Sequence, residues 1–312
     1  MRASRAIGAK SVDQRLAAVL VAAFLASACA SVPPTLRSEP RDTRLARKIA
    51  RLVKPTGARF GISALHIESG RRLSWNGGEP FEAASVIKLA LLAEAAARAT
   101  QGTLDLKSRW TVTAAAKAAP SSLLLEFDDG LNPTERDLLY LMIGRSDNTA
   151  TNHFIDLLGT EAVNRRMETL GFPRIKLLGR IPDRDPEETQ NARWKGLVLG
   201  SMTPDDTAEL YRRLATASLL GGPADALAID VLGSQHQTDR IPRLLLVDGA
   251  RWAGKSGTLR GRRNDSGVLT NKKGRFVLVM FADGISDAYG AAYNVNQTMG
   301  EIAKSIVNEW SR

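Results

Sequence analysis

Ser85 and Lys88 stand three residues apart in Ser85-Val86-Ile87-Lys88, which is the only Ser-x-x-Lys in the chain. On a helix those two positions share a face, so the amine can sit beside the hydroxyl. Serine attacks an acyl carbon well only when a neighbouring base takes its proton. A lysine set in an apolar helix is partly desolvated, which disfavours its charged form and suits it to that task. A helix start followed by a lysine that snorkels to the surface would read the same way. Two further triplets gather polar groups, Ser146-Asp147-Asn148 and Lys255-Ser256-Gly257. The first also reads as a helix-capping turn, because Ser, Asp and Asn are favoured caps, and the second as a strand running into a turn. The three motifs carry more weight together than singly, because they occur in one order, 61 and 109 residues apart. The chemistry they suit is acyl transfer through a serine ester.

The elements that must position these residues are legible from the apolar pattern. RFGISALHI (59–67) and RRLSW (71–75), separated by Glu68-Ser69-Gly70, read as a β-hairpin. From Ser85 to about Ala99 the chain is rich in Ala and Leu, free of Gly and Pro, and apolar nearly all round, which predicts a buried central helix. Helical signals dominate from about 100 to 240: Pro133-Thr134-Glu135 opens a run to Ile143, Thr149–Leu158 follows, and Pro204–Leu214 has acidic residues in its first turns. Strand signals return in RWAGKS (251–256), SGVLT (266–270) and RFVLVMFA (275–282), and a helix over about Asn294–Trp310 closes the chain. Strands at both ends with helices between them imply a discontinuous α/β domain carrying an all-helical insertion.

The three motifs are the signature of class A β-lactamases and penicillin-binding proteins, and the chain resembles class A β-lactamases from about residue 45 to the end. The resemblance extends to GLNPTERDLLYLMIGRSDNTATNHFIDLLG (130–159) and SMTPDDTAELYRRL (201–214), while QTDRIPRLL (237–245) and RGRRNDSGVL (260–269) mark a divergent branch. It implies an α/β (α+β) fold in which an antiparallel sheet flanked by helices joins an all-helical domain. It also implies roles. Ser85 would acylate on the β-lactam carbonyl, with Lys88 helping to deprotonate it. Ser146 would relay a proton to the leaving nitrogen, and Asn148 would orient the substrate amide. Lys255, Ser256 and Thr258 would hold the substrate carboxylate, with the backbone N–H groups of Ser85 and Thr258 as an oxyanion hole. The family's water-activating glutamate lies four residues before an asparagine, which here selects Glu187 and Asn191, although Asp185 before Pro186 fits the local pattern nearly as well. The family's arginine–aspartate closure of that loop has no clear counterpart, Gly200 falling near the aspartate's place. A D-alanyl-D-alanine peptidase, or an envelope module that is acylated with little turnover, would carry the same trio without needing the glutamate.

Residues 1–28 read as an export signal: Arg2, Arg5, Lys10 and Arg15 precede the apolar LAAVLVAAFLASA, which is too short to span a bilayer comfortably. LASAC resembles a bacterial lipobox that would make Cys29, the single cysteine, a lipidated N-terminus; Ala28-Cys29-Ala30 also reads as an ordinary cleavage site. The expected organisation is a signal peptide over 1–28, a proline-rich tether over 29–44, a discontinuous α/β domain of 45–79 and 241–312, and a helical domain over 80–240. The expected location is the periplasm, with a membrane tether through Cys29. The four basic residues and one aspartate of 1–28 account for three of the ten net positive charges, which leaves +7. Those charges are scattered, with no basic run interleaved with aromatics, so nucleic acid is not the expected partner. His66, His153 and His236 show no zinc-binding spacing. No cofactor and no metal are expected, and the partner is a small β-lactam taken up by a monomer. Tyr289 and Trp252 are candidates for lining a cleft, a core or rim position being the commoner fate of such residues.

Overall fold

The computed structural model describes residues 40–181 and 197–311. The positions of Cys29, Asp185, Glu187 and Asn191 therefore lie outside the described residues, as does the expected 1–28 signal.

Five strands form the central sheet: β1 (Arg59–His66), β2 (Arg72–Trp75), β6 (Arg251–Leu259), β7 (Arg262–Asn271) and β8 (Gly274–Asp283). Their order is β2-β1-β8-β7-β6, antiparallel throughout, so β6 is an edge. The strand β8 shows why the sheet is central. Its residues alternate between two apolar clusters, Phe276, Leu278, Met280 and Ala282 on one face and Val277, Val279 and Phe281 on the other. A strand with both faces covered reads as the continuous apolar run seen in the sequence.

The first face is covered by α1 (Pro40–Val53), through Leu45 and Ile49, and by the last helix, α8 (Ala291–Trp310), through Val295, Met299, Ile302 and Ile306. The helix α1 begins at Pro40, inside the 29–44 stretch read as a tether: Leu45 and Ile49 are one turn apart and bury on the same side. The other face carries α2 (Lys88–Thr100), α3 (Glu135–Gly144), α4 (Asn148–Leu158), α5 (Thr160–Thr169), α6 (Pro204–Ala215) and α7 (Gly222–Leu232). Short strands β3 (Phe81–Glu82), β4 (Lys176–Leu177) and β5 (Gly200–Met202) make a separate three-stranded sheet, ordered β3-β5-β4. The described residues from Arg41 onward cluster as one compact unit.

The helix α2 is the buried central helix that its composition predicts, with every residue from Lys88 to Ala97 buried. It begins three residues later than Ser85, because Ala84–Ile87 form a tight 3₁₀ turn that starts from left-handed Ala84 (φ 48°). A left-handed alanine is costly and persists only where its surroundings hold it. Those surroundings are a cluster of buried polar groups.

Candidate active site

The Ser85 turn is held from two sides. Buried Glu82 accepts hydrogen bonds from Ala84 N at 3.1 Å, Leu199 N at 3.2 Å and Gly200 N at 3.3 Å, and a further one from Val198 N. From β7, Asn264 Nδ2 donates to Glu82 O at 2.7 Å and to Ala83 O at 3.0 Å. The strand β6 passes so close that a Cβ on Gly257 would stand 2.9 Å from Ala83 O and 3.0 Å from Ser85 N. Glycine is needed there for approach, not for backbone freedom. Ser85 is partly exposed and lines the cleft together with Ser146, Asn148, Ser256 and Thr258.

Lys88 and Lys255 are fully buried. Lys88 Nζ donates to Ser146 O at 2.7 Å, to Asn148 Oδ1 at 2.9 Å and to Ser146 Oγ at 3.2 Å. These three acceptors fill the donor capacity of an ammonium. None of these bonds goes to the Ser85 hydroxyl, beside which the helical spacing would let the amine sit. Lys255 Nζ reaches the same Ser146 Oγ at 3.1 Å and Ser256 O at 2.8 Å. Ser146 thus receives one N–H from each lysine. With both lone pairs engaged, its own O–H must point elsewhere. The Ser146 backbone is also left-handed, at φ 57°.

Burial pushes both amines down, and the positive neighbours add to it. Lys88 lies well below the usual lysine range through burial first and the charge of Lys255 second, with Asp147 pulling the other way. Lys255 falls to about 7 through burial and then Arg240, opposed by Asp265. Asp147, capping α4, accepts from Ala150 N at 2.8 Å, Leu124 N at 3.0 Å and Ser122 Oγ at 2.9 Å. Asn148 is fixed at its other end by donating to Pro120 O.

Several positioning residues escaped the sequence reading. Arg240, almost fully buried, donates through Nη1 to Gly257 O and Asn264 O, both at 2.7 Å, and through Nη2 to Thr258 Oγ1 at 2.5 Å. Gln235 Nε2 donates to Ser256 Oγ at 3.1 Å, which donates in turn to Gln237 Oε1 at 3.0 Å. Asp265 is fully buried beneath them, accepting from Ile241 N at 3.0 Å, and burial raises its carboxyl to about 7 against the pull of Arg240. The one available signal was the pair of divergent segments, 237–245 and 260–269, which contain Gln237, Arg240, Asn264 and Asp265.

Seven of the eight sequence-derived site residues therefore meet around one cleft: Ser85, Lys88, Ser146, Asn148, Lys255, Ser256 and Thr258. Glu187 is the eighth, outside the described residues. Residues 44–310 match the family model described as the β-lactamase enzyme family. The chain belongs to that family. Among its relatives, a β-lactamase of Rhodobacter capsulatus is 26% identical over 289 residues, covering 92% of this chain and 95% of its own. A β-lactamase of Streptomyces albus G is 30% identical over 244 residues, 75% of this chain and 74% of its own. Among solved structures, a β-lactamase from Sphaerobacter thermophilus superposes with a TM-score of 0.77 at 30% identity, covering 86% of this chain and 97% of that one. A structure named PBP-A shares the fold, with a TM-score of 0.73 at 23% identity, covering 85% and 97%.

The family assignment agrees with the mixed α/β fold and with the resemblance read from the motifs. Two of the three histidines have partners of their own: His66 packs on Phe276, and His153 Nε2 lies 2.9 Å from both carboxylate oxygens of Glu135. Trp252 is buried in the cluster under α8, whereas Tyr289 lines the cleft. Among the described residues no group of His, Cys, Asp and Glu is arranged to hold a metal.

Proposed function

We propose that the chain is a serine β-lactamase that opens the β-lactam ring through an ester on Ser85. The observation that carries this reading is the Ser146 hydroxyl clamped between two buried amines whose charged forms are disfavoured, beside a partly exposed serine at the start of a buried helix. Neutral Lys88 exchanges one donor for a lone pair, which takes the Ser85 proton as Oγ attacks the carbonyl carbon. The carbonyl oxygen becomes an anion, for which the Ser85 and Thr258 N–H groups are the donors. As the C–N bond breaks, the nitrogen takes the outward-pointing Ser146 proton, and Lys88 restores it. Lys255, Ser256 and Thr258 bind the substrate carboxylate, and Asn148 orients the side-chain amide. Water then cleaves the ester, with Glu187 as the base and Asp185 as the competing candidate. No cofactor takes part. The leader and LASAC make the protein an exported one, tethered through Cys29, and a monomer suffices for this chemistry.

Intact-protein mass spectrometry with benzylpenicillin tests the nucleophile. One adduct is expected on the wild type when it is acid-quenched during turnover, and none on Ser85→Ala; an adduct on the alanine variant sinks the assignment. Steady turnover of a chromogenic cephalosporin is expected. A one-equivalent burst would indicate an acylated binding module instead, and release of D-alanine from a peptide a peptidase. Glu187→Gln should acylate but strand the ester, slowing deacylation by about 10²–10⁴-fold, because an amide cannot accept a proton from water. Stranding in Asp185→Asn, with Glu187→Gln turning over, would transfer the role to Asp185.

A further inference from the structure

The cleft does not end at the residues used above. Past Thr258 it runs along Leu259–Gly261 at the end of β6 and along the Ile285–Tyr293 segment that leads into α8. The two walls are pinned together: Ile285 N donates to Gly261 O at 3.0 Å, and Arg260 Nη2 lies 2.7 Å from Asp287 Oδ2. Two tyrosines stand in this extension, Tyr289 at 107% relative exposure and Tyr293 at 64%. They are the only aromatic residues among the described lining residues. Aromatic rings left in water at the mouth of a cleft retain their apolar area and their π-faces for a ligand.

We propose that this extension is a second subsite, in which Tyr289 and Tyr293 stack against a planar aromatic substituent on the leaving side of the substrate ring. The inference rests on the serine β-lactamase reading and names the substrates that reading favours. On that reading Lys255 and Thr258 hold the ring carboxylate, and Thr258 lines the cleft where it passes into the subsite. In a cephalosporin the carbon bearing the carboxylate is bonded to the carbon bearing the 3-substituent, so that substituent is the group nearest the tyrosines. The Arg260–Asp287 ion pair beside them neutralises the Asp287 carboxylate, which would otherwise repel an anionic substrate. The occupant is therefore a cephalosporin with an aromatic 3-substituent, and penicillins, which have no such group, leave the subsite empty.

The test uses two cephalosporins with one acyl side chain and either methyl or an aromatic ring at position 3, with benzylpenicillin as reference. The wild type should acylate faster, by kcat/KM, with the aromatic one. In the double variant Tyr289→Ala/Tyr293→Ala that preference should fall about tenfold, in line with two lost aromatic contacts. Benzylpenicillin and the methyl compound should stay within about twofold. Tyr→Phe at both sites should restore the preference, since stacking needs the ring and not the hydroxyl. An unchanged preference in the double variant, or an equal loss on all three substrates, overturns the subsite. If the wild type is acylated by none of them, the serine β-lactamase reading itself fails, and the subsite with it.

Discussion

At the scale of single residues, burial first and positive neighbours second disfavour the charged forms of the two lysines. Lys88 and Lys255, both fully buried, share one hydroxyl oxygen, and Arg240 adds a third positive group beside Lys255. A base needs Lys88 neutral, so acylation should fail as pH drops through its depressed pKa. Capture of a carboxylate needs Lys255 protonated, so it should weaken as pH rises through about 7. A bound carboxylate restores the charge that favours protonation. The alkaline limb of kcat/KM, which reports the free enzyme, should therefore lie near pH 7, and that of kcat at higher pH. Coincident limbs in a pH–rate study of benzylpenicillin would argue against Lys255 as the carboxylate group.

Elements explain what the sequence could reveal and what it could not. Ser85, Lys88, Ser146 and Lys255 were legible because each sits in a motif only a few residues long. Glu82 and Arg240 were not, because their partners lie outside any short motif: Glu82 O meets Asn264 across 182 residues, and Arg240 meets Gly257, Thr258 and Asn264 17–24 residues on. The strand β6 was expected to stop at Ser256 and continues to Leu259, since its extent is set by pairing with Arg262–Asn264 of β7, which a local pattern does not contain. The helices α5 and α7 were covered only by a general helical signal between 100 and 240. Gly257 tests how closely β6 and the Ser85 turn must fit. In Gly257→Ala the new methyl meets Ala83 O, Ala84 Cβ and Ser85 N at 2.9–3.0 Å, none of them a flexible side-chain end. The strand must then retreat from Ser85. Acylation should slow about 10²-fold in stopped-flow, as misplacement near 1 Å does, while circular dichroism stays native. A rate near wild type would mean that the approach is not needed for catalysis.

For the whole molecule, the same buried charges set a pH signature of stability. Lys255 carries a proton in the unfolded chain up to about its ordinary 10.5 but in the folded one only to about 7. Between those values the unfolded state binds more protons, so this residue's contribution makes the fold more stable as pH rises. Asp265 behaves inversely: its folded carboxyl holds a proton to about 7 against an ordinary 3.8, so its contribution falls as pH climbs through that window. Both place their least favourable balance near neutrality. The advantage in Tm of Lys255→Met over wild type should be largest at pH 7 and shrink toward pH 10. A constant difference across that range would show that Lys255 is not held in a depressed state. Glu82 matters at this scale too, because it ties the Ser85 turn to residues 198–200. Glu82→Ala leaves buried N–H groups without acceptors and should cost about 3–5 kcal/mol in denaturant unfolding. A loss under 1 kcal/mol would contradict that role.

The strand order has a consequence in time. β1 is joined to β8, with Arg59 opposite Asp283, and the two are 224 residues apart. A growing chain thus makes its first hairpin long before the strand that must cover the hairpin's open edge exists. At ordinary synthesis rates the wait is on the order of 10–40 s. The serine is in the same position: Ser85 is made early, and Gly257 and Lys255, which close its far side, come among the last strands. Loop closure over such a distance is entropically expensive and slow. Ser85 is therefore made early and set in place late, and a chain released before β8 lacks the strand that joins the β1–β2 hairpin to β7 and β6.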